Sequence, residues 1–216
     1  MSVSEVVHAR DIAEVLHFTT NKGLLGILAS GRILSRARLG VDKYVEHVYE
    51  PNAEVRRDGP WLDYVNLSIS RLNWEFFGYS RRWHAHQDVW WCALSIAPDV
   101  LALPGATFTT TNNIYSGCRR ATGADGLEAM FAESIVRWPG NVVKRPSEQP
   151  EDWTTCHQAE VLVPGEVGVE HVRALYVATH AHGDIVSSQC EILLNDPDPL
   201  PTFVDPDIFE PHFVLG

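Results

Sequence analysis

A chain of 216 residues that is 45% hydrophobic and 21% charged can bury a core, and its length predicts one domain over residues 1–216. No apolar run approaches the roughly 20 residues needed to cross a bilayer, and Met1-Ser2-Val3-Ser4-Glu5 is not the basic-then-apolar opening of a secretory signal, so a cytoplasmic protein with no membrane partner is expected. A net charge of −11 excludes loose nucleic-acid binding over a broad basic surface, which depends on counterion release.

In chain order, Leu24, Leu25, Ile27 and Leu28 follow the capping pair Thr20-Asn21 and stop at Gly31, which predicts a short helix. Residues 36–60 are polar and turn-rich and read as a long surface loop of the kind that often carries function. Tyr64–Ile69 alternates as a strand does, and Leu72-Asn73-Trp74-Glu75-Phe76-Phe77-Gly78-Tyr79 is an aromatic-rich helix or loop. Residues 89–96 predict a strongly apolar strand and 106–111 a weaker one. Leu127, Met130, Phe131, Ile135 and Trp138 fall at helical spacing, which predicts one amphipathic helix with a core-facing stripe. Strands are predicted again at 160–163, 174–178 and 191–194. Strands outnumber helices without regular alternation, so the class is α+β with a largely antiparallel sheet. Neither an internal repeat nor a low-complexity linker interrupts the chain.

Glu160 opens the run Gln158-Ala159-Glu160-Val161-Leu162-Val163-Pro164, and a carboxylate at the mouth of a buried strand can face a cleft while the sheet holds it. A glutamate at a strand end is commonly no more than a polar residue, so the motif gains meaning only beside Leu16-His17-Phe18-Thr19 near the N-terminus. Basic residues pair as Arg56-Arg57, Arg81-Arg82, Arg119-Arg120 and Lys144-Arg145. Any one such pair is usually a solvated face; together they leave open a local basic groove on an acidic body. The cysteines Cys92, Cys118, Cys156 and Cys190 form no Cys-x-x-Cys pair, against both a disulfide framework and a zinc knuckle. His84-Ala85-His86 with Cys92, and His180-Ala181-His182 with Cys190, match no zinc spacing either; they read as loop histidines, and no metal is expected.

Five segments in order carry a resemblance. They are His17-Phe18-Thr19 with the following Gly26-Ile27-Leu28 and Gly31-Arg32-Ile33-Leu34; Asp63-Tyr64-Val65; Leu103-Pro104-Gly105; Thr109-Thr110-Thr111-Asn112-Asn113; and the run from Gln158 to Pro164. Over roughly residues 15–180 this arrangement resembles the DarT family of DNA ADP-ribosyltransferases. The resemblance implies an ADP-ribosyltransferase-like fold with largely antiparallel central sheets and flanking helices, and NAD as co-substrate. It implies a base in single-stranded DNA as acceptor, thymidine first and guanosine second, and a toxin whose mark a macrodomain antitoxin removes. Glu160 and Arg57 are then the catalytic residues, and His17, Phe18, Thr19, Gly26, Leu34, Arg57 and Arg71 the NAD-binding set. The chain departs from the family where Asn66-Leu67-Ser68-Ile69-Ser70-Arg71 replaces a segment containing Pro and Tyr. The catalytic arginine is matched best by Arg57, with Arg71 next and Arg56 also open.

The residues suit that chemistry. Breaking the bond to nicotinamide leaves an oxocarbenium-like ribose, which a fixed glutamate can orient and stabilise. His17 can hydrogen-bond a ribose hydroxyl, backbone groups around Phe18 and Thr19 can hold the nicotinamide amide, and an arginine fork can take the pyrophosphate or the base. Phe76, Phe77 and Tyr79 can stack on nicotinamide, although such clusters are more often core. RNA, a protein side chain or water stays open as acceptor, whereas a catalytically inactive binding module is disfavoured by the presence of both His17 and Glu160.

Overall fold

The computed structural model of the chain describes residues 1–39, 59–194 and 200–211. Its strands begin with β1 (Val15–Thr20), β2 (Arg32–Leu34), β3 (Tyr64–Ile69), β4 (Trp91–Ile96), β5 (Thr107–Thr109) and β6 (Arg120–Thr122). They continue with β7 (Ser134–Trp138), β8 (Asn141–Lys144), β9 (Glu160–Pro164), β10 (Glu166–Gly168), β11 (Val172–Val177) and β12 (Thr202–Val204). The helices are α1 (Val3–Ala9), α2 (Asn21–Ser30), α3 (Arg36–Leu39), α4 (Trp74–Trp83), α5 (Gly123–Ala129) and α6 (His180–Leu194). The main sheet has eight strands in the order β12-β11-β4-β1-β3-β9-β5-β6, and every pairing in it is antiparallel except β11 with β12. That agrees with the α+β, largely antiparallel expectation.

Strand β1 pairs with β4 along its whole length, from Val15↔Ile96 to Thr20↔Trp91, but with β3 only at Val15↔Ile69 and Leu16↔Ser68. Beyond Leu16 the sheet splits, so the backbone of the next residues borders an opening instead of another strand. Val15, Leu16 and Thr20 are buried, and His17, Phe18 and Thr19 between them are half-buried. Val15 belongs to the large core under α1, α2 and α6, while Leu16 joins Leu72, Phe77, Ala93 and Phe209 on the opposite side.

Local chemistry sets the ends of α2, the helix that follows β1. The Thr20 side chain accepts the Gly23 N–H at 3.2 Å, and Gly31 closes the helix at φ 70°, where a side chain would be strained. Helix α4 realises the aromatic segment as a helix, capped by Asn73, whose side-chain oxygen accepts the Phe76 N–H at 3.1 Å. The strand expected at 89–96 starts at Trp91, and the one expected at 106–111 is confined to Thr107–Thr109. Of the long loop expected at 36–60, Arg36–Leu39 forms the short helix α3 and Gly59–Trp61 a 3-10 turn; residues 40–58 lie outside the described set.

Two expectations are overturned. Leu127, Met130, Phe131, Ile135 and Trp138 do not share a helix: α5 ends at Ala129, and Ile135 and Trp138 lie on β7. The Pro139-Gly140 turn, with Gly140 at φ 84°, folds β7 back on β8, and a hairpin across such a turn suits the β-branched pair Ile135-Val136 better than a helix does. Leu127, Met130, Phe131 and Ile135 are nonetheless core, while Trp138 is 39% exposed. The strand expected at 191–194 is the last turn of α6, whose buried stripe is Gly183, Val186 and Cys190 at helical spacing, with Ile192 76% exposed.

Candidate functional site

The split between β1 and β3 opens into a cleft lined by His17, Phe18 and Thr19 from β1, Leu34 at the end of β2, and Tyr64, Asn66 and Ser68 from β3. Arg36 of α3, Asn73 and Phe76 of the α4 region, Trp91 and Glu160 complete most of its wall. Alternation along β3 explains the division of labour: Val65, Leu67 and Ile69 enter the core, so Tyr64, Asn66 and Ser68 face the cleft.

Glu160 is only 6% exposed, and its carboxylate is held at both oxygens. The Asn66 side-chain N–H donates to one oxygen at 3.0 Å, and the Asn113 backbone N–H donates to the other at 2.9 Å. Arg120 braces Asn113 in turn, its Nε donating to Asn113 Oδ1 at 2.6 Å and its terminal nitrogen to the Asn113 carbonyl. The Glu160 backbone is fixed as well, because Thr109 opposite it in β5 accepts its N–H at 3.0 Å. A buried carboxylate is costly unless hydrogen-bonded, and these donors meet that cost while fixing its direction.

His17 sits where the β1–β3 ladder stops. Its Nδ1 meets the Asn66 carbonyl at 3.1 Å, and a carbonyl only accepts, so Nδ1 carries the proton and a neutral ring presents Nε2 as an acceptor. Burial lowers the His17 pKa below its ordinary value against the opposing pull of that hydrogen bond, which favours the neutral ring. The cleft therefore offers a fixed anion and a neutral acceptor, both oriented by Asn66. Such a pair can grip sugar hydroxyls and stabilise positive charge developing beside them.

The structure brings together Glu160, His17, Phe18, Thr19 and Leu34 from the sequence-based set. Gly26 is not among the cleft-lining residues; it lies on α2, partly buried. Nearer the site on the same helix is Gly23, where an added Cβ would lie 2.0 Å from Thr19 Oγ1 and would displace that hydroxyl. Arg71 also falls outside the cleft. Its guanidinium stacks on Trp153 at 4.4 Å, donates to the Thr154 carbonyl at 3.0 Å, and borders a separate hollow with His157 and Glu210. Burial there lowers its pKa to about 10. Arg71 follows the end of β3 that lies beside Glu160, where Leu67 is opposite Val161, but its side chain turns to the Trp153-Thr154 segment and not into the cleft. Arg56 and Arg57 lie outside the described residues.

Two further cleft residues, Arg36 and Asn66, and the Asn113 backbone that holds Glu160 were not anticipated from the sequence. Arg36 lies two residues beyond the Gly31-to-Leu34 segment, and an arginine so placed is its one signal. Asn66 stood out only as a departure, and Asn113 acts through its backbone, which leaves no side-chain signature. Of the aromatics, Phe76 lines the cleft, Phe77 is core, and Tyr79 lies outside, stacked on Trp83. The histidine pairs are not loop residues throughout. His84 is buried against Trp91 with Nδ1 donating to the Ser80 carbonyl at 2.9 Å, and His182, in the first turn of α6, stacks on Trp90 at 4.3 Å. Among the described residues no group of three or more His, Cys, Asp and Glu side chains is placed to hold a metal.

A family model described as "DarT: ssDNA thymidine ADP-ribosyltransferase, DarT" matches residues 16–209. No curated protein sequence matches the chain. Among solved structures, Thermus sp. 2.9 DarT in complex with NAD+ superposes with a TM-score of 0.61 at 18% identity, covering 92% of this chain and 98% of that one. The same protein in complex with ADP-ribosylated ssDNA gives 0.60 at 17% identity, covering 92% and 97%. Thermosipho africanus DarTG in complex with ADP-ribose gives 0.59 at 15% identity, covering 91% of this chain and 51% of that one. The split sheet with its flanking helices is thus the ADP-ribosyltransferase-like fold of these proteins.

Proposed function

The chain belongs to the DarT family of single-stranded DNA thymidine ADP-ribosyltransferases, and from that premise we propose which of its residues carry the reaction. Like the family it is an NAD-dependent enzyme that transfers ADP-ribose to thymidine in single-stranded DNA. The ribose–nicotinamide bond breaks, nicotinamide leaves, and a bond forms to a ring nitrogen of the base, which gives up its proton.

In the proposed arrangement Glu160 accepts a hydrogen bond from a ribose hydroxyl and stabilises the cation developing on the sugar. His17 Nε2 accepts a second sugar hydroxyl, Phe18 and Thr19 present backbone groups to the nicotinamide amide, and Leu34 covers the apolar side. Arg36 is the described arginine suited to the pyrophosphate, because its position on α3 gives the cleft a cation. Arg57 is proposed as the catalytic arginine, on the resemblance of the segment preceding Asp63-Tyr64-Val65. The observation that carries this reading is the Glu160 carboxylate, buried and held at both oxygens in the same cleft as a neutral His17.

We further propose that residues 1–216 act as one domain, that the activity is toxic in the cytoplasm, and that a macrodomain antitoxin removes the mark. The family resemblance supports the toxin reading, and the name DarTG on a relative about twice the length of the matched region is in keeping with a linked second component. Among the described residues no helix is long and apolar enough to cross a membrane.

The test is to incubate the protein with NAD and short oligonucleotides that differ in one base, and then to weigh the products. One added ADP-ribose on thymidine-containing single strands is expected. Labelling of RNA or protein alone, or release of free ADP-ribose as the sole product, would overturn the acceptor assignment.

A further inference from the structure

We propose that the Asn66 side chain is a positioning residue for catalysis, holding the Glu160 carboxylate in the direction from which it meets the ribose. The inference rests on Glu160 as the cation-stabilising carboxylate. Asn66 lies in the middle of β3, opposite Leu162 of β9 and thus two positions along from Glu160. Its neighbours Val65 and Leu67 are core, so the pleat directs the amide into the cleft. Asparagine is a poor strand residue, and a mid-strand position buried on one face normally selects a β-branched or aromatic side chain. The geometry gives a reason for its presence. The amide N–H donates to Glu160 at 3.0 Å, and the same residue's carbonyl accepts His17 Nδ1 at 3.1 Å. One residue thereby fixes the two groups that face the sugar.

Glu160 has about four acceptor directions, so donors on its two oxygens orient it without exhausting it. The terminal torsion of a glutamate is soft, and the Asn66 amide on one oxygen, together with the Asn113 N–H on the other, opposes rotation about it. The other groups facing the pair are His17 from β1, Arg36 from α3, Cys118 near the start of β6, and Arg120 of β6 acting through Asn113.

Asn66→Ala and the isosteric Asn66→Asp are compared with Glu160→Gln and the unaltered protein, by steady-state labelling of a thymidine oligonucleotide. Asn66→Ala is expected to lower kcat about 10- to 100-fold while the KM for NAD moves less than about threefold, since orientation matters most in the transition state. Asn66→Asp sets a carboxylate against Glu160. Its activity is expected to be lowest at alkaline pH and to recover as the pH falls and the pair shares a proton, shifting its optimum to the acid side of the unaltered protein's. If Asn66→Ala does not fold, this profile alone decides. A kcat within twofold of normal in Asn66→Ala, or an Asn66→Asp profile superimposable on the unaltered one, with Glu160→Gln inactive, overturns the inference about Asn66. Near-normal turnover in Glu160→Gln overturns the reading of Glu160 beneath it.

Discussion

At the residue scale the proposed mechanism depends on holding one charge still, that of Glu160. Glu160→Gln keeps the shape and nearly the volume of the side chain but removes the anion, so NAD binding and fold should persist. The loss in kcat should correspond to about 2.7–4 kcal/mol, the scale of a single preorganised electrostatic group; turnover near normal would show that the cation is stabilised elsewhere. His17 has a different role. If, as proposed, it accepts a sugar hydroxyl equally before and during bond breaking, His17→Ala should raise the KM for NAD by the worth of one hydrogen bond, about 0.5–1.5 kcal/mol, with little change in kcat. A fall in kcat alone would move His17 into the chemistry. The pH dependence follows from the lowered His17 pKa. Above the ordinary value of about 6.5 the ring is neutral whether folded or unfolded, and neither KM nor stability should respond to it. As the pH drops below that value the unfolded chain takes up a proton that the fold refuses, so stability falls. KM should rise only further down, where the folded ring itself protonates; a KM rising already between pH 7 and 8 would contradict a neutral, buried His17. Glu160, His17, Phe18, Thr19 and Leu34 were legible in the sequence because chemistry and motif coincide in them. Asn113 was not, since it contributes a backbone N–H, and neither was Asn66, whose meaning depends on a register that only the paired strands define.

At the scale of elements, the cleft exists because β1 leaves β3 after Leu16 while staying paired to β4. No local sequence signal marks that split; it is a relation between strands far apart in the chain. Elements whose pattern is local were legible, as with α2 between Thr20 and Gly31 or β3 with its alternation. The failures share a cause. Four residues at 191–194 are too few to show a period, and the apolar residues from Leu127 to Trp138 match helical spacing by coincidence across a helix, a turn and a strand. The structure also marks a glycine in that region that packing requires. A Cβ at Gly126 would lie 2.5 Å from the Ala121 carbonyl oxygen, so α5 rests directly on β6, at the edge of the sheet half that carries Glu160. Gly126→Ala should force the two apart and cost about 1–3 kcal/mol, as overpacking does. In a chain of this size each kcal/mol lowers Tm by roughly 2–4 °C. An unchanged Tm in Gly126→Ala would mean that α5 moves freely over the sheet edge.

At the scale of the whole molecule, the acidic balance has to be reconciled with a DNA substrate. The net charge is −11, and several of the described arginines are engaged by carboxylates or carbonyls of this chain. Arg10 binds Glu128 at 2.6 Å and Glu151 at 3.3 Å, Arg38 spans Asp63 and Glu166, Arg32 also meets Glu166, and Arg145 donates to the Trp153 and Pro150 carbonyls. Arg120, from the Arg119-Arg120 pair, braces Asn113. Of the basic pairs in the described residues, Arg120 and Arg145 are engaged in such contacts while Arg81, Arg82 and Arg119 are exposed, so the local basic groove that the pairs left open is reduced to a few cations for phosphates. Binding should then come from a small number of contacts around the base being modified, with selectivity set by the pocket and not by the backbone. The measurable consequence lies in the salt dependence. On single strands log K falls with log salt by about 0.7 for each phosphate neutralised, so roughly three contacts or fewer would give a slope no steeper than about −2. Titrating a labelled thymidine oligonucleotide at a series of salt concentrations measures that slope directly. It should be shallow, and an oligonucleotide lacking thymidine should bind more weakly with a similar slope, because the phosphate contribution is the same for both. A steep slope shared by every sequence would reveal a basic track along the strand and place recognition in the backbone after all.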